Sequence, residues 1–322
     1  MPDLHTHGNI ESEPLETVTG LSFCEQAYLA ANPDVDAAVK AGSLESGRAH
    51  FEAFGIRETH RKQVAEIARM EKRRRRARIE SILNKSLPYI DDGHLFDFLS
   101  PELRQKFDIR DSELIGENLY DNDALTVIKR HRDGLVLDCG AGSRPTIYEN
   151  VVNFEISAYP STDVRGVGEV LPFLDNSFDA VLSLNVLEHV KDPFSAAKEL
   201  LRVLKPGGDL VVVVPLTQPT HGYPHHYYNM TAEGILNLFT PSIDVDRIYV
   251  PISTSPVWTL AWIARDWAEG LDEEALADFK SLTVAELLNG APTLLDRPFV
   301  RNLSDTKNLQ LASSTTLLAK KR

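Results

Sequence analysis

The run GDLVVVVP, residues 208–215, constrains the fold of this chain more than any other stretch. Four consecutive valines show no alternation of apolar and polar side chains, the pattern of a strand buried on both faces of a sheet. Upstream, FDAVLSLNV (178–186) reads as another apolar strand, and residues 193–203 between the two read as a helix. Strands are also expected over 135–139, near 151–156 and near 162–165, with a last one at SSTTLLAK (313–320). Strands alternating with helices or loops imply an α/β fold with a mostly parallel sheet and covered faces.

The first of these strands runs into VLDCGAGSRPT (136–146). Gly140 and Gly142 let the backbone approach a ligand closely at the carboxyl end of that strand, where open α/β sheets bind. Glu155 follows Asp138 by 17 positions, near the end of the next strand, where a carboxylate can accept both hydroxyls of a ribose. These features suit nicotinamide and adenosylated cofactors alike. A nicotinamide-dependent oxidoreductase needs a third small residue close to position 145, and Pro145 stands there instead.

Composition excludes several classes. The chain has 322 residues, enough for about two domains, and a formal charge of −13, which argues against general nucleic-acid binding. Its two cysteines, Cys24 and Cys139, cannot build a disulfide framework and point to a reducing compartment. The amino-terminal stretch has neither the basic start nor the apolar run of a signal peptide, and nothing approaches the ~18 apolar residues of a membrane span. A cytoplasmic location is expected.

Residues 1–20 read as a disordered tail. Residues 21–62 read as a small helical module: Asn32 caps a helix with Pro33 at its first position and Gly42 beyond its end, and Ser46 caps another that Gly55 ends. YLAANPDVDAAVKAG…HFEAFG resembles a module of the form YLxxNPDVxxAVxxG…HFxxFG, which implies packing or docking and no chemistry of its own. Residues 63–130 read as a basic linker helix, EIARMEKRRRRARIESIL (66–83), and lead-in helices. The arginines at 73–76 suit an anionic partner or, with Glu66, Glu71 and Glu80 among them, a solvated face. A protein partner through residues 21–85 is compatible with this stretch, and so is an oligomer.

EVLPFLDNSFDAVLSLNVLEHVKDPFSAAKELLRVLKPGGDLVVVVP (169–215) closely resembles the core of class I S-adenosylmethionine-dependent methyltransferases of the type 11-like group, with its LPF-x-D-x-SFD and LEH signatures; the likeness covers roughly 134–240. It implies a Rossmann-like sheet over 131–322 with a helical cap inserted at about 252–310, and S-adenosylmethionine as cofactor. LDCGAG would then be the cofactor's glycine loop, with Asp138 organising it or meeting the amino-acid end and Gly140 and Gly142 giving backbone contact. Glu155 would hold the ribose. Leu171, in LPF, would meet the adenine, and Asn185 to His189 would face the sulfonium. Val167 falls where the family commonly has an acid before LPF, and Glu169 would substitute. Pro206-Gly207-Gly208 reads as a structural turn.

THGYPHHYYNMTAEG (220–234) resembles a family segment of the type H-G-x-P-x-D-Y-x-R-x-T, with His226 in place of the Asp and Asn229 in place of the Arg, so that a charge pair is missing. His221, His225 and His226, together with His189 of LEH, are general-base candidates because imidazole titrates near neutral pH. No spaced cysteine or acidic partner accompanies them, so no metal centre is expected. Trp258, Trp262 and Trp267 all fall in the insertion, the first two on one helical face. The expected function is in-line methyl transfer to a small-molecule or glycan-like acceptor. A cofactor-binding scaffold without turnover is the second reading, motivated by the departures at Val167, His226 and Asn229, and a nicotinamide-dependent oxidoreductase, which fits Gly140, Gly142 and Glu155 but leaves the 169–215 signature unexplained, is the third.

Overall fold

The computed structural model describes residues 14–110, 119–222 and 225–321. It divides into two compact units: one reaches up to Val186 and resumes over Phe194–Val213, and the other comprises Leu187–Pro193 and the chain from Val214 onward.

The first unit begins with a two-stranded antiparallel ribbon, β1 (Leu15–Thr17) on β2 (Lys62–Val64). Part of the expected tail is therefore ordered, and residues 1–13 lie outside the described residues. Between the strands run three helices, α1 (Glu25–Ala31), α2 (Pro33–Lys40) and α3 (Gly47–Ala53), one more than expected. Ser46 caps α3 by accepting from the Ala49 amide. Asn32 precedes Pro33 as expected, but its side-chain amide donates to the carbonyls of Tyr28 and Lys62, tying α1 to β2. Phe23, Tyr28, Val35 and Phe51 form a small core of their own.

This module is fastened to the rest of the unit. Arg48 donates to the Ile147 carbonyl at 2.8 Å and lies over the Phe23 and Tyr148 rings. The basic helix α4 (Ala65–Ser81) is used in the same way. Arg75 makes a two-pronged contact to Asp163 at 2.5 Å and donates to the Val151 carbonyl, while Arg76 pairs with Asp91 and covers the Phe96 ring. Two of the four arginines expected to face solvent or an anionic partner thus hold α4 to the main sheet.

That sheet has seven strands in the order β3 (Ile90–Asp91), β4 (Phe96–Asp97), β7 (Val164–Arg165), β6 (Val151–Glu155), β5 (Val136–Cys139), β8 (Phe178–Leu184), β9 (Leu204–Val213). Only β3 is antiparallel to its neighbour. The β3–β4 hairpin lies in the stretch read as lead-in helices; α5 (Pro101–Phe107) and α6 (Asn122–Arg130) supply the helices there, and α7 (Pro193–Val203) appears as expected. β5 is central: from it the chain adds β6 and β7 on one side, then β8 and β9 on the other. The order reverses beside β5, and in open α/β sheets that switch point is where ligands bind, beyond the carboxyl ends of the strands.

Two expectations fail at the sheet's edge. Val211, Val212 and Val213 are half-buried, because β9 pairs only with β8 and leaves its other side open among the described residues. Residues 313–320 form no strand, and Leu317 and Leu318 are exposed. The second unit carries α8 (Ala232–Phe239), α9 (Pro256–Glu269), α10 (Glu273–Ser281), α11 (Val284–Leu288), α12 (Pro298–Arg301) and α13 (Asp305–Leu311). The second compact unit, which resumes at Val214, takes in the residues read as a helical cap at about 252–310. Among the described residues no helix is long and apolar enough to cross a membrane.

Both cysteines are buried and free. Burial pushes the Cys24 thiol up to about 11 and the Cys139 thiol higher still, so neither supplies thiolate at neutral pH. A thiol-reactive disulfide reagent at pH 7.5 is expected to label neither in the folded protein and both in guanidinium. Rapid labelling of the folded protein would show that one of these sites opens readily.

Candidate functional site

In the first unit the site is built on the loop after β5. Gly140 has φ +79°, and a Cβ there would lie 2.5 Å from a methyl of Val186, so only glycine fits this turn. Gly142 follows at φ +62°, and its amide donates to Glu155 Oε2 at 2.8 Å. Glu155 ends β6, buried, and its Oε1 accepts from the Ile156 amide at 2.8 Å. Burial raises its carboxyl above the ordinary range, with the Gly142 and Ile156 amides opposing. Each carboxylate oxygen has a second lone pair, so this acid can hold the loop and still accept two hydroxyl protons.

Asp138 sits below the loop, fully buried. Its Oδ2 accepts from Arg144 Nε and Nη2, both at 2.8 Å, and from the Tyr120 hydroxyl at 2.6 Å. Its Oδ1 has no hydrogen-bond partner among the described residues. Burial raises this carboxyl, with the Arg144 guanidinium and Tyr120 hydroxyl opposing it. Of its two expected roles, organising the loop is the one these contacts perform. Arg144 and Tyr120 were not anticipated. An arginine six positions beyond an apolar strand's acid is a weak signal, and Tyr120 comes from a different part of the chain.

The expected adenine contacts divide. Leu171 is 1% exposed, which places it in the core rather than on a ligand-facing surface. Its main chain is held by α7: its amide donates to Glu199 at 2.8 Å and its carbonyl accepts from Arg202 at 2.9 Å. Val167, which falls where the resemblance places an acid, packs with Leu99 and Phe107 in the core. Glu169 is nearly buried. Asn185 is exposed just after β8, in the left-handed region at φ +56°, with its amide donating to the Val213 carbonyl. A turn that only glycine fits, an acid at the end of the next strand and an unpartnered buried Asp138 oxygen form an acceptor set that fits an adenosyl cofactor.

The second unit gathers the histidines. His189, His221 and His226 stand with ring centres 4.4–5.5 Å apart, nearly perpendicular. Two have their Nδ1 protons fixed by main-chain acceptors: His189 on the His225 carbonyl at 2.7 Å, His221 on the Pro219 carbonyl at 2.9 Å. This leaves each Nε2 with its lone pair. His226 accepts from the His221 amide at Nδ1 and donates from Nε2 to Asn229 Oδ1 at 3.0 Å. The two positions that depart from the family pattern thus meet each other, a neutral hydrogen bond standing where a charge pair is expected. His225 takes part through its carbonyl, and its ring packs on Tyr227.

Glu188 lies among them, fully buried, with neither carboxylate oxygen hydrogen-bonded among the described residues. Burial pushes its carboxyl up to about 7 and lowers the imidazoles of His189 and His221. Sequence reasoning passed over Glu188, although the LEH motif that singled out His189 contains it.

Residues 139–212 match the family model described as a methyltransferase domain. A methyltransferase of Mycobacterium tuberculosis, itself uncharacterized, is 51% identical over 53 residues, 16% of this chain and 21% of that protein. An uncharacterized protein of Methanocaldococcus jannaschii is 37% identical over 101 residues, 28% of this chain and 44% of its own length. The chain thus spans less than half the length of these curated relatives. Among solved structures, a Thermotoga maritima S-adenosylmethionine-dependent methyltransferase, titled a possible histamine N-methyltransferase, is 26% identical, covering 35% of this chain and 66% of that one at a TM-score of 0.30. The family match covers the loop after β5 and all of β6, with Gly140, Gly142 and Glu155, so residues 139–212 of this chain are similar to a methyltransferase domain.

Proposed function

We propose that the protein binds S-adenosylmethionine at the carboxyl ends of β5 and β6 and transfers its methyl group to a small-molecule or glycan-like acceptor. The observation that carries this reading is Glu155, held at the end of β6 by the Gly142 amide, beside a turn that only glycine fits. S-adenosylmethionine, when bound, would supply an electrophilic methyl carbon with its sulfur as the leaving group of the transfer. The protein's contribution is then chiefly orientation. Glu155 would hold the ribose and the loop after β5 would lie along the cofactor, with the buried Asp138–Arg144 pair keeping that loop in place.

An oxygen or nitrogen acceptor also loses a proton. Of the four histidine candidates, His226 has both ring nitrogens engaged. His189 and His221 keep an Nε2 lone pair and are the pair to which a base role falls.

The test is release of S-adenosylhomocysteine from S-adenosylmethionine, with sets of free and nucleotide-linked sugars and of small aromatic metabolites as acceptors. Stimulated release with one set, abolished by Glu155→Ala, is expected. Tight binding of the cofactor without release in the presence of any acceptor would favour the scaffold reading.

A further inference from the structure

We infer that Glu188, His189 and His221 form a binding site for a first-row divalent transition-metal ion, with zinc the ion that the donor set fits best. The three residues each offer one ligand atom, and these atoms lie within 4.8 Å of one another. Two imidazole nitrogens and one carboxylate are a recurrent set for zinc with three protein ligands, leaving a fourth position open.

Four features support the assignment. First, the Glu188 carboxylate is fully buried with neither oxygen hydrogen-bonded among the described residues, and Oε1 stands 3.9 Å from His189 Nε2. Such a group is costly to bury unless a proton or a cation neutralises it. Second, both imidazoles donate Nδ1–H to main-chain carbonyls, the outer arrangement that orients metal-ligating histidines and turns Nε2 toward the ion. Third, their ring centres are 5.2 Å apart. Two imidazoles on one tetrahedral zinc, with Zn–N bonds of ~2.0–2.1 Å, also place their ring centres about 5 Å apart. The same geometry asks for about 3.4 Å between ligand atoms, so side-chain rotations of modest size close the site.

The fourth feature is that the surrounding chain is shaped to hold these groups. Gly222 has φ +80°, and a Cβ there would lie 2.4 Å from His189 Cε1, so glycine is needed for the loop to pass the ring. The Tyr227 and Tyr228 amides donate to the Glu188 carbonyl, fastening its main chain to the same loop. Trp262 packs on His221 at 5.1 Å, and its Nε1–H donates to Asp266. His226, with both nitrogens engaged, is outside the ligand set. A bound ion would occupy both free Nε2 lone pairs, so neither imidazole could then act as a base.

The test uses the tag-free full chain, treated with chelator and desalted. Calorimetric titration with zinc chloride and visible absorption on titration with cobalt chloride are run on wild type, Glu188→Gln, His221→Ala and a His5→Ala/His7→Ala control. One equivalent of zinc per chain is expected in wild type and in the control. The cobalt adduct should show the intense visible bands of a four- or five-coordinate ion. Affinity should fall at least about tenfold in the two site variants, as it does on loss of even supporting groups around a metal. X-ray absorption of the wild-type zinc adduct, which needs no variant to fold, should show two imidazoles and no sulfur. Absence of saturable binding would overturn the inference and leave Glu188 a neutral buried acid. Binding unchanged in folded Glu188→Gln and His221→Ala, or a zinc shell without two imidazoles, would overturn it too.

Discussion

Arg144→Ala is expected to destabilise the protein by about 3–5 kcal/mol, the cost of leaving one member of a buried ion pair without its partner. Asp138 and Arg144 are both essentially removed from solvent, at 0% and 3% exposure. Two nitrogens of the guanidinium converge on one carboxylate oxygen, and its carbon lies 4.0 Å from the centre of the Tyr120 ring. Deleting the side chain removes the cation, the ring contact and two hydrogen bonds at once, while Asp138 stays in the interior between β6 and β8. Set against typical domain stabilities of roughly 5–15 kcal/mol, that is a large share. Urea denaturation measures it. Asp138→Asn combined with Arg144→Met should recover part of the loss, because no charge is then stranded. A cost below about 1 kcal/mol for Arg144→Ala would mean that water reaches this pair.

Glu155→Ala is expected to weaken S-adenosylmethionine binding by a hundredfold or more. Hydrogen bonds to a charged group contribute about 1.5–3 kcal/mol each, and a ribose offers this carboxylate two. The same carboxylate accepts the Gly142 and Ile156 amides, so its loss also frees the loop that should follow the cofactor. Glu155→Gln keeps one acceptor oxygen near these amides and should fall between alanine and wild type. Equal binding by wild type and Glu155→Ala would remove the residue from the site altogether.

The sheet was legible because its signals are local. Apolar strands, a helix between the last two and glycines at a strand end are each read from a few neighbouring residues, and β5, β6, β8 and α7 fall close to their expected ranges. What escaped depends on partners distant in the chain. The β3–β4 hairpin has two residues per strand, too short to show a period, and joins the sheet only through pairing of Phe96 and Asp97 with β7. Arg75 reads as one of a solvated run until Asp163 is placed opposite it. SSTTLLAK has the composition of a strand, but composition cannot supply a neighbour.

The candidate site divides the same way. Gly140, Gly142 and Glu155 could be found from spacing, because only the short connection over 140–150 separates β5 from β6 and determines where they meet. Leu171 could not be placed, since a buried leucine and a ligand-lining one look alike in sequence. Glu188 was invisible for a different reason: its distinction is having no hydrogen-bond partner while fully buried, a property no sequence motif encodes. The neutral His226–Asn229 contact shows that two departures from a family pattern can compensate for each other, which neither position reveals alone.

The central claim, that the loop after β5 and Glu155 hold an adenosyl cofactor, is tested most directly by calorimetric titration of wild type and Glu155→Ala with S-adenosylmethionine, S-adenosylhomocysteine and NAD. Micromolar binding of the two adenosyl compounds but not NAD, lost in the variant, is the predicted result. Binding of NAD in their place, or of none of the three, would contradict it.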